Sequence, residues 1–64
     1  MFKVGDIVKW YYVVLMISEI GSRSGRDSCK LRGKFGLEIV AYFSEIEPAG
    51  HKEKLWFSGN EAKK

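Results

Sequence analysis

Cysteine, histidine and proline are almost missing from this sequence, which contains one residue of each. The single cysteine, Cys29, excludes an intramolecular disulfide framework and a zinc site built from four cysteines. The single histidine, His51, lies in a polar stretch, and no serine has the local sequence of a hydrolase nucleophile. We therefore predict a protein that is not an enzyme and that requires no metal ion, cofactor or small-molecule substrate.

Long uncharged stretches are missing as well. The longest runs from Trp10 to Ser18, about half the length of a bilayer-spanning helix, and the first residues do not resemble a signal peptide. We therefore expect a cytoplasmic protein that does not interact with membranes. A chain of 64 residues allows one small domain, which buries only about 60% of its unfolded surface. A hydrophobic content of 45% is too high for a disordered tail.

The charges are distributed unevenly along the chain. The net charge is +3, but residues 21–34 carry +4 and residues 35–50 carry −3. A basic segment of this kind attracts nucleic acid or acidic protein surfaces, or it only keeps an exposed hairpin solvated. The charge pattern alone leaves these alternatives open.

Short strand patterns dominate the first 48 residues. Apolar alternation and β-branched residues predict five strands, separated by glycine, serine or aspartate, with a polar loop over residues 21–27 and a hairpin turn over residues 33–36. A flat sheet of five strands would expose an apolar face that so short a chain cannot cover, so curling into a barrel is favoured. The side chains predicted to point inward are Val4, Val8, Val13, Leu15, Ile17, Cys29, Leu31, Ile39, Ala41, Phe43 and Ile46.

Two segments resemble a known family. The opening Val4-Gly5-Asp6-Ile7-Val8 is similar to the turn into the first strand of small SH3-like β-barrels, and residues 36–40 with residues 43–47 resemble the last two strands of such barrels. The nearest likeness is to short uncharacterised barrel proteins of tailed bacteriophages and some bacteria. The resemblance implies an all-β, five-stranded SH3-like barrel with a single helical turn before the last strand, and a host-cell cytoplasmic location if the chain is phage-encoded. It is poorly specific for function, since such barrels bind nucleic acids, peptides or other subunits.

The connection between the first two strands departs from that family. SH3-like barrels usually have a long polar loop here, whereas only Tyr11 and Tyr12 separate Trp10 from Val13. Tyrosines are poor residues for a two-residue hairpin turn, which requires positive φ angles. We therefore expect either an irregular first hairpin or one long bent strand from Trp10 to Ile20.

Residues 49–64 are predicted to be an extension of the barrel domain, which covers residues 1–48. Residues 49–54 have the composition of a linker, and residues 58–64 that of a disordered end. Between them, Leu55-Trp56-Phe57 is an apolar triplet that adds a strand, closes one end of the barrel or docks on a partner.

The aromatic and basic residues give two functional hypotheses. The first is a non-catalytic binding module, of the accessory type found in phages, that binds a protein partner or a second copy of itself through the aromatic residues Trp10, Tyr11, Tyr12, Trp56 and Phe57. The alternative is a nucleic-acid-binding barrel that contacts phosphates through the basic residues Arg23, Arg26, Lys30, Arg32 and Lys34. A third interpretation of the last aromatic pair is that Trp56 and Phe57 fold back over Tyr11 or Tyr12 as a small second core.

Overall fold

A computed structural model describes residues 2–59 of the chain. This part contains β1 (Ile7–Trp10), β2 (Val13–Arg23), β3 (Arg26–Gly33), β4 (Glu38–Tyr42), a 3-10 turn (Phe43–Glu45), β5 (Ile46–Pro48) and helix α1 (His51–Ser58). The predictions of a predominantly β chain and of a single helical turn before the last strand are confirmed.

The five strands form one antiparallel sheet in the order β4-β3-β2-β1-β5. The edge strands are therefore β4 and β5, and the 3-10 turn connects them along the chain. A β-bulge between Ile17 and Glu19 interrupts the β2–β3 ladder, and bulges of this kind bend a strand and increase its twist. Within residues 2–59 no ladder joins β4 to β5, so the sheet is not closed.

The core lies on one face of this sheet. Strand pairing brings Val8 opposite Leu15 and Ile17 opposite Leu31. Burial of each large side chain is worth about 1.5–3 kcal/mol, so this cluster is the main source of stability. Its buried members, all of which belong to the predicted inward set, are Val8, Leu15, Ile17, Cys29, Leu31, Ala41 and Ile46, and the half-buried Ile39 and Phe43 pack against them.

The prediction that Val4 and Val13 point into the core is wrong. Val4 is 59% exposed because it lies in a turn in which the Asp6 N–H donates to the Lys3 carbonyl (3.0 Å). Phe2 packs against the core instead and makes an edge-to-face contact with Phe43 (5.4 Å between ring centroids). Val13 is also exposed, since it is the first residue of β2 and lies beyond the buried cluster.

Two hairpin turns differ from the sequence predictions. Trp10 pairs directly with Val13, so Tyr11 and Tyr12 do form a two-residue turn, with φ angles of 47° and 71°. The polar loop predicted over residues 21–27 is also wrong, because the second hairpin turn contains only Ser24 and Gly25. Both of these residues have positive φ angles (53° and 76°), and glycine adopts such angles without steric cost.

Residues 51–54 of the segment predicted as a linker form the first half of helix α1. The Glu53 carboxylate accepts a hydrogen bond from the Gly50 N–H (2.6 Å) at the start of the helix. Gly59, with φ of 84°, ends the helix, and its N–H donates to the carbonyls of Leu55 and Trp56. These end contacts satisfy groups that every helix leaves unpaired. Of residues 58–64, predicted to be disordered, Ser58 is the last residue of α1 and Gly59 ends the helix, whereas residues 60–64 lie outside the described residues. No helix within residues 2–59 has the length and apolarity to cross a bilayer.

Candidate functional site

The β1–β2 turn presents two tyrosines at one end of the sheet. Tyr12 is 94% exposed, and Tyr11 is also exposed. The Tyr11 ring lies edge-to-face on Trp10 (4.8 Å between centroids), and Trp10 itself is half-buried against the core. Positive φ at two successive tyrosines costs conformational energy. Backbone strain of this kind occurs more often at functional sites than elsewhere.

The β3–β4 turn lies at the same end of the sheet. It is closed by hydrogen bonds from the Gly33 N–H to the Leu37 carbonyl (2.6 Å) and from the Gly36 N–H to the Gly33 carbonyl (3.3 Å). A Cβ atom at Gly33 would lie 3.2 Å from side-chain atoms of both Leu15 and Leu37, so glycine allows the turn to pack closely. The turn exposes Phe35, which is 88% accessible.

Helix α1 brings a third aromatic side chain to this end. The Lys34 ammonium group donates to the Trp56 carbonyl (2.6 Å) and lies 4.6 Å from the centre of the Trp56 ring. The Phe35 ring meets the Trp56 ring edge-to-face at 6.5 Å. Lys34 and Phe35 therefore hold the helix against the β3–β4 turn by a charge-assisted hydrogen bond, a cation–π contact and an aromatic pair.

These three segments surround an apolar groove of about 410 Å³. We call its exposed rim, made of Tyr12, Val13, Phe35, Leu37 and Trp56, the aromatic end. Within the described part of the chain, Lys34 is the one charged residue in the lining of this groove. Contiguous exposed apolar groups around a concave surface are typical of binding sites in small proteins.

The predicted aromatic candidates are only partly brought together. Tyr12 and Trp56 both line the groove, whereas Trp10 packs against the core and Phe57 is half-buried on α1. Tyr11 lies outside this groove and, together with Tyr12, Lys9 and Glu45, lines a second, more polar depression. The interpretation that Trp56 folds back onto the protein agrees with its contacts, but its ring partners are Phe35 and the neighbouring Phe57 instead of Tyr11 or Tyr12.

Sequence reasoning missed Phe35, Leu37 and Val13 as site residues. A signal was present for Phe35, because a large apolar residue in a turn between Gly33 and Gly36 has no strand face on which to bury. Val13 and Leu37 carried no such signal, since each is an apolar residue at the start of a predicted strand and therefore looks like a core residue.

The five predicted basic residues do not converge on one surface. Arg23 and Arg26 flank the tip of the β2–β3 hairpin, whereas Lys34 lies at the opposite end of β3. Lys30 pairs with Glu19 (3.6 Å), and Arg32 pairs with Glu38 (2.7 Å). The Arg26 guanidinium lies over the Tyr42 ring (4.5 Å). Neighbouring acidic side chains therefore offset much of the positive potential along this hairpin.

Among residues 2–59, three titratable groups have shifted pKa values. Hydrogen bonding and charge from Arg32 lower the pKa of Glu38. The hydrogen bond from the Gly50 N–H lowers the pKa of Glu53, and Lys9, whose ammonium nitrogen lies 3.5 Å from the carboxylate, contributes less. Burial raises the pKa of Cys29, which donates a weak hydrogen bond to the Ala41 carbonyl. A raised pKa keeps this thiol protonated and unreactive, as predicted for a small core residue.

Among residues 2–59, no three side chains of histidine, cysteine, aspartate or glutamate are grouped as metal ligands would be. No family model, curated protein or solved structure matches this chain significantly. The geometry of the aromatic end is therefore the basis for assigning its function.

Proposed function

We propose that this protein is a non-catalytic binding module that holds an apolar protein segment in the groove of the aromatic end. The observation that carries the proposal is the convergence of Tyr12, Phe35 and Trp56, from three separate segments, around one apolar groove. Tyrosine and tryptophan supply large, stiff contact surfaces and are enriched among the residues that dominate binding energy. Exposure of such side chains to water does not stabilise an isolated protein, and exposed apolar patches typically mark interaction sites.

The groove also restricts what it binds. Its lining is apolar except for Lys34, whose ammonium group is already held by Trp56. A bound segment therefore needs apolar side chains for the groove and an acidic or neutral residue beside Lys34, since a basic residue there would be repelled.

The same proposal includes the fold relationship to small SH3-like barrels, such as those of phages and bacteria. It is supported by the opening residues 4–8 and by the 3-10 turn that connects the two edge strands. The nucleic-acid alternative has less support, because Lys30, Arg32 and Lys34 each contact a group within the protein.

A peptide library panned against the wild-type protein tests the proposed function. We expect selected peptides to carry apolar residues and to lose at least about tenfold in affinity for Phe35→Ala, the loss that corresponds to about 1.4 kcal/mol. Tyr12→Ala should weaken binding similarly. Arg23→Ala, at the far end of the hairpin, is the matched surface control and should bind like the wild type.

Peptides that bind the Tyr12→Ala/Phe35→Ala double variant as tightly as the wild type would contradict the proposal. Circular dichroism and a thermal melt of each variant establish that the sheet is intact, which we expect because both side chains are exposed.

A further inference from the structure

The two edges of the sheet are protected to different degrees. The edge strand β5 has three residues and ends at Pro48, features that discourage strand pairing. The other edge strand, β4, has five residues, Glu38–Tyr42, with no proline, no lysine and one charged side chain. Val40, at its centre, is 49% exposed. Edge strands of this composition readily pair with another strand.

A hydrogen bond at the end of β4 shows which of its backbone groups face outward. The Tyr42 N–H donates to the Glu45 carboxylate (3.0 Å) and so is not directed at β3, although Tyr42 is paired with Ser28. Along an antiparallel strand, successive residues direct their N–H and C=O groups to opposite sides. The backbone groups of Val40 and Glu38 therefore point away from β3, toward the open edge.

This pattern is self-complementary when two β4 strands run antiparallel. If Val40 of one copy lies opposite Val40 of the other, the two residues exchange both backbone hydrogen bonds. In this register Glu38 lies opposite Tyr42 of the second copy, so the two carboxylates are kept apart. A Glu38 N–H is then directed at the Tyr42 carbonyl across the pair, while the Tyr42 N–H keeps its bond to Glu45.

The charges agree with the same register. The Arg26 guanidinium lies over the Tyr42 ring (4.5 Å), on the sheet face that also carries Glu38 and Val40. Glu38 of a second copy, opposite Tyr42, therefore approaches a second cation in addition to Arg32 of its own chain (2.7 Å). Diagonal neighbours on adjacent strands are within reach of long side chains of this kind. Such a Glu38–Arg26 pair forms twice in a symmetric dimer.

We propose that two copies of this protein associate through antiparallel pairing of their β4 strands, centred on Val40 and flanked by two Glu38–Arg26 pairs between copies. The occupant of the edge is a second copy because the backbone directions, the central apolar residue and the charges of β4 all match their own two-fold image. The dimer does not depend on the proposed function, since the side chains that line the groove belong to neither the pairing nor the ion pairs.

Charge exchange tests this dimer in sedimentation experiments over a concentration series. Arg26→Glu places a second carboxylate beside Glu38 of the other copy, and Glu38→Arg places two cations together, so each variant alone should dimerise about tenfold more weakly than the wild type. An equimolar mixture of the two variants allows a heterodimer in which opposite charges face each other again, and we expect association there to recover. A wild-type protein that stays monomeric, single variants that associate like the wild type, or a mixture that fails to recover would each overturn the proposal.

Cysteine cross-linking gives a second measurement that needs no charge change. In the proposed register the two Val40 Cα atoms are about 5.5 Å apart, a separation compatible with a disulfide. Val40→Cys should therefore form a covalent dimer under mild oxidation, while Lys52→Cys, exposed on α1, should cross-link at least about tenfold more slowly. Equal rates for the two variants would exclude the pairing at Val40 and would favour a different protein strand as the occupant of this edge.

Discussion

At the scale of single residues, the backbone at Tyr11 and Tyr12 is the least expected feature. Type I′ turns require positive φ at both central positions, and asparagine or glycine normally occupies them. Left-handed conformations cost about 1–3 kcal/mol for each residue with a large side chain. The Tyr11–Trp10 ring contact returns part of this energy. The two tyrosines thus lower the stability of the turn, in agreement with the proposed role in binding.

Replacing these two tyrosines should separate stability from binding. We expect Tyr11→Asn/Tyr12→Gly to raise the free energy of unfolding by about 1 kcal/mol, because relief of the backbone strain exceeds the loss of one aromatic pair. The same variant should bind selected peptides more weakly, because Tyr12 lines the groove. Urea denaturation and peptide titration measure the two effects.

The second hairpin turn provides the control for that experiment. Ser24→Asn occupies a position that also has positive φ but lies away from the groove, so peptide binding should not change. A tyrosine-free turn that is less stable than the wild type would show that the ring contacts outweigh the strain.

At the scale of elements, α1 is held to the sheet by polar contacts as much as by apolar ones. Lys34 binds the carbonyl near the end of the helix, and Lys9 of β1 pairs with Glu53 near its start. Glu53 also accepts the Gly50 N–H. Because Trp56 belongs to this helix, the polar contacts at both ends position one wall of the groove.

The lowered pKa of Glu53 predicts a pH dependence of stability. A carboxylate whose pKa is lower in the folded state than its ordinary value of 4.5 stabilises the fold above that pH, and the stabilisation is lost as the pH falls through the folded pKa. Glu53→Gln should therefore be less stable than the wild type at about pH 7 and should approach it at about pH 3. Chemical denaturation at both pH values measures this convergence.

The pKa of Glu38 is also lowered in the folded protein. The stability of both the wild type and Glu53→Gln should therefore decrease to some extent in acid. Glu53→Ala distinguishes charge from hydrogen bonding, since glutamine can still accept the Gly50 N–H and alanine cannot. A stability difference between Glu53→Gln and the wild type that does not change with pH would mean that ionisation of Glu53 is not coupled to folding.

At the scale of the whole molecule, acidic side chains offset part of the basic charge, in agreement with the proposed contact with protein. Basic side chains are spread along the full length of β3, and acidic partners sit beside two of them. The side chains that line the apolar groove are not those of β4, although Leu37 of the groove directly precedes Glu38. The two proposed contacts therefore use different side chains.

This charge distribution predicts weak and shallow salt dependence of any DNA or RNA binding. With Lys30 and Arg32 paired to carboxylates, we expect the slope of log affinity against log salt to correspond to about two phosphate contacts or fewer. Fluorescence anisotropy with labelled oligonucleotides at several salt concentrations measures the slope. Lys30→Gln/Arg32→Gln should leave it unchanged, whereas Arg23→Gln at the hairpin tip should reduce whatever binding exists.

A slope equivalent to about four or five phosphates would contradict this expectation, because it would require nearly all of the basic residues in the 23–34 segment to release their internal partners.

The sequence by itself determined the number and order of the strands, though not the full length of β2 and β3, and most of the core. Alternation in residues 29–32 places Cys29 and Leu31 inside and Lys30 and Arg32 outside, and the structure agrees. The alternation within a strand is enough to specify which side chains face the core, because a one-residue shift would move every apolar side chain of the strand into water. The predictions fail at Val4, in the turn before β1, and at Val13, the first residue of β2, because both residues lie beyond the core.

Only the tertiary structure decided where the aromatic end lies. Tyr12, Phe35 and Trp56 are far apart in the sequence, and they meet because the β1–β2 and β3–β4 turns lie at one end of the sheet and α1 returns to it. The helix itself was missed because the charged residues before Leu55 have the composition of a linker, and its ends are fixed by contacts of Gly50 and Gly59. Local composition determines which face of a strand is apolar, whereas the position of a groove depends on packing between segments that the sequence order does not show.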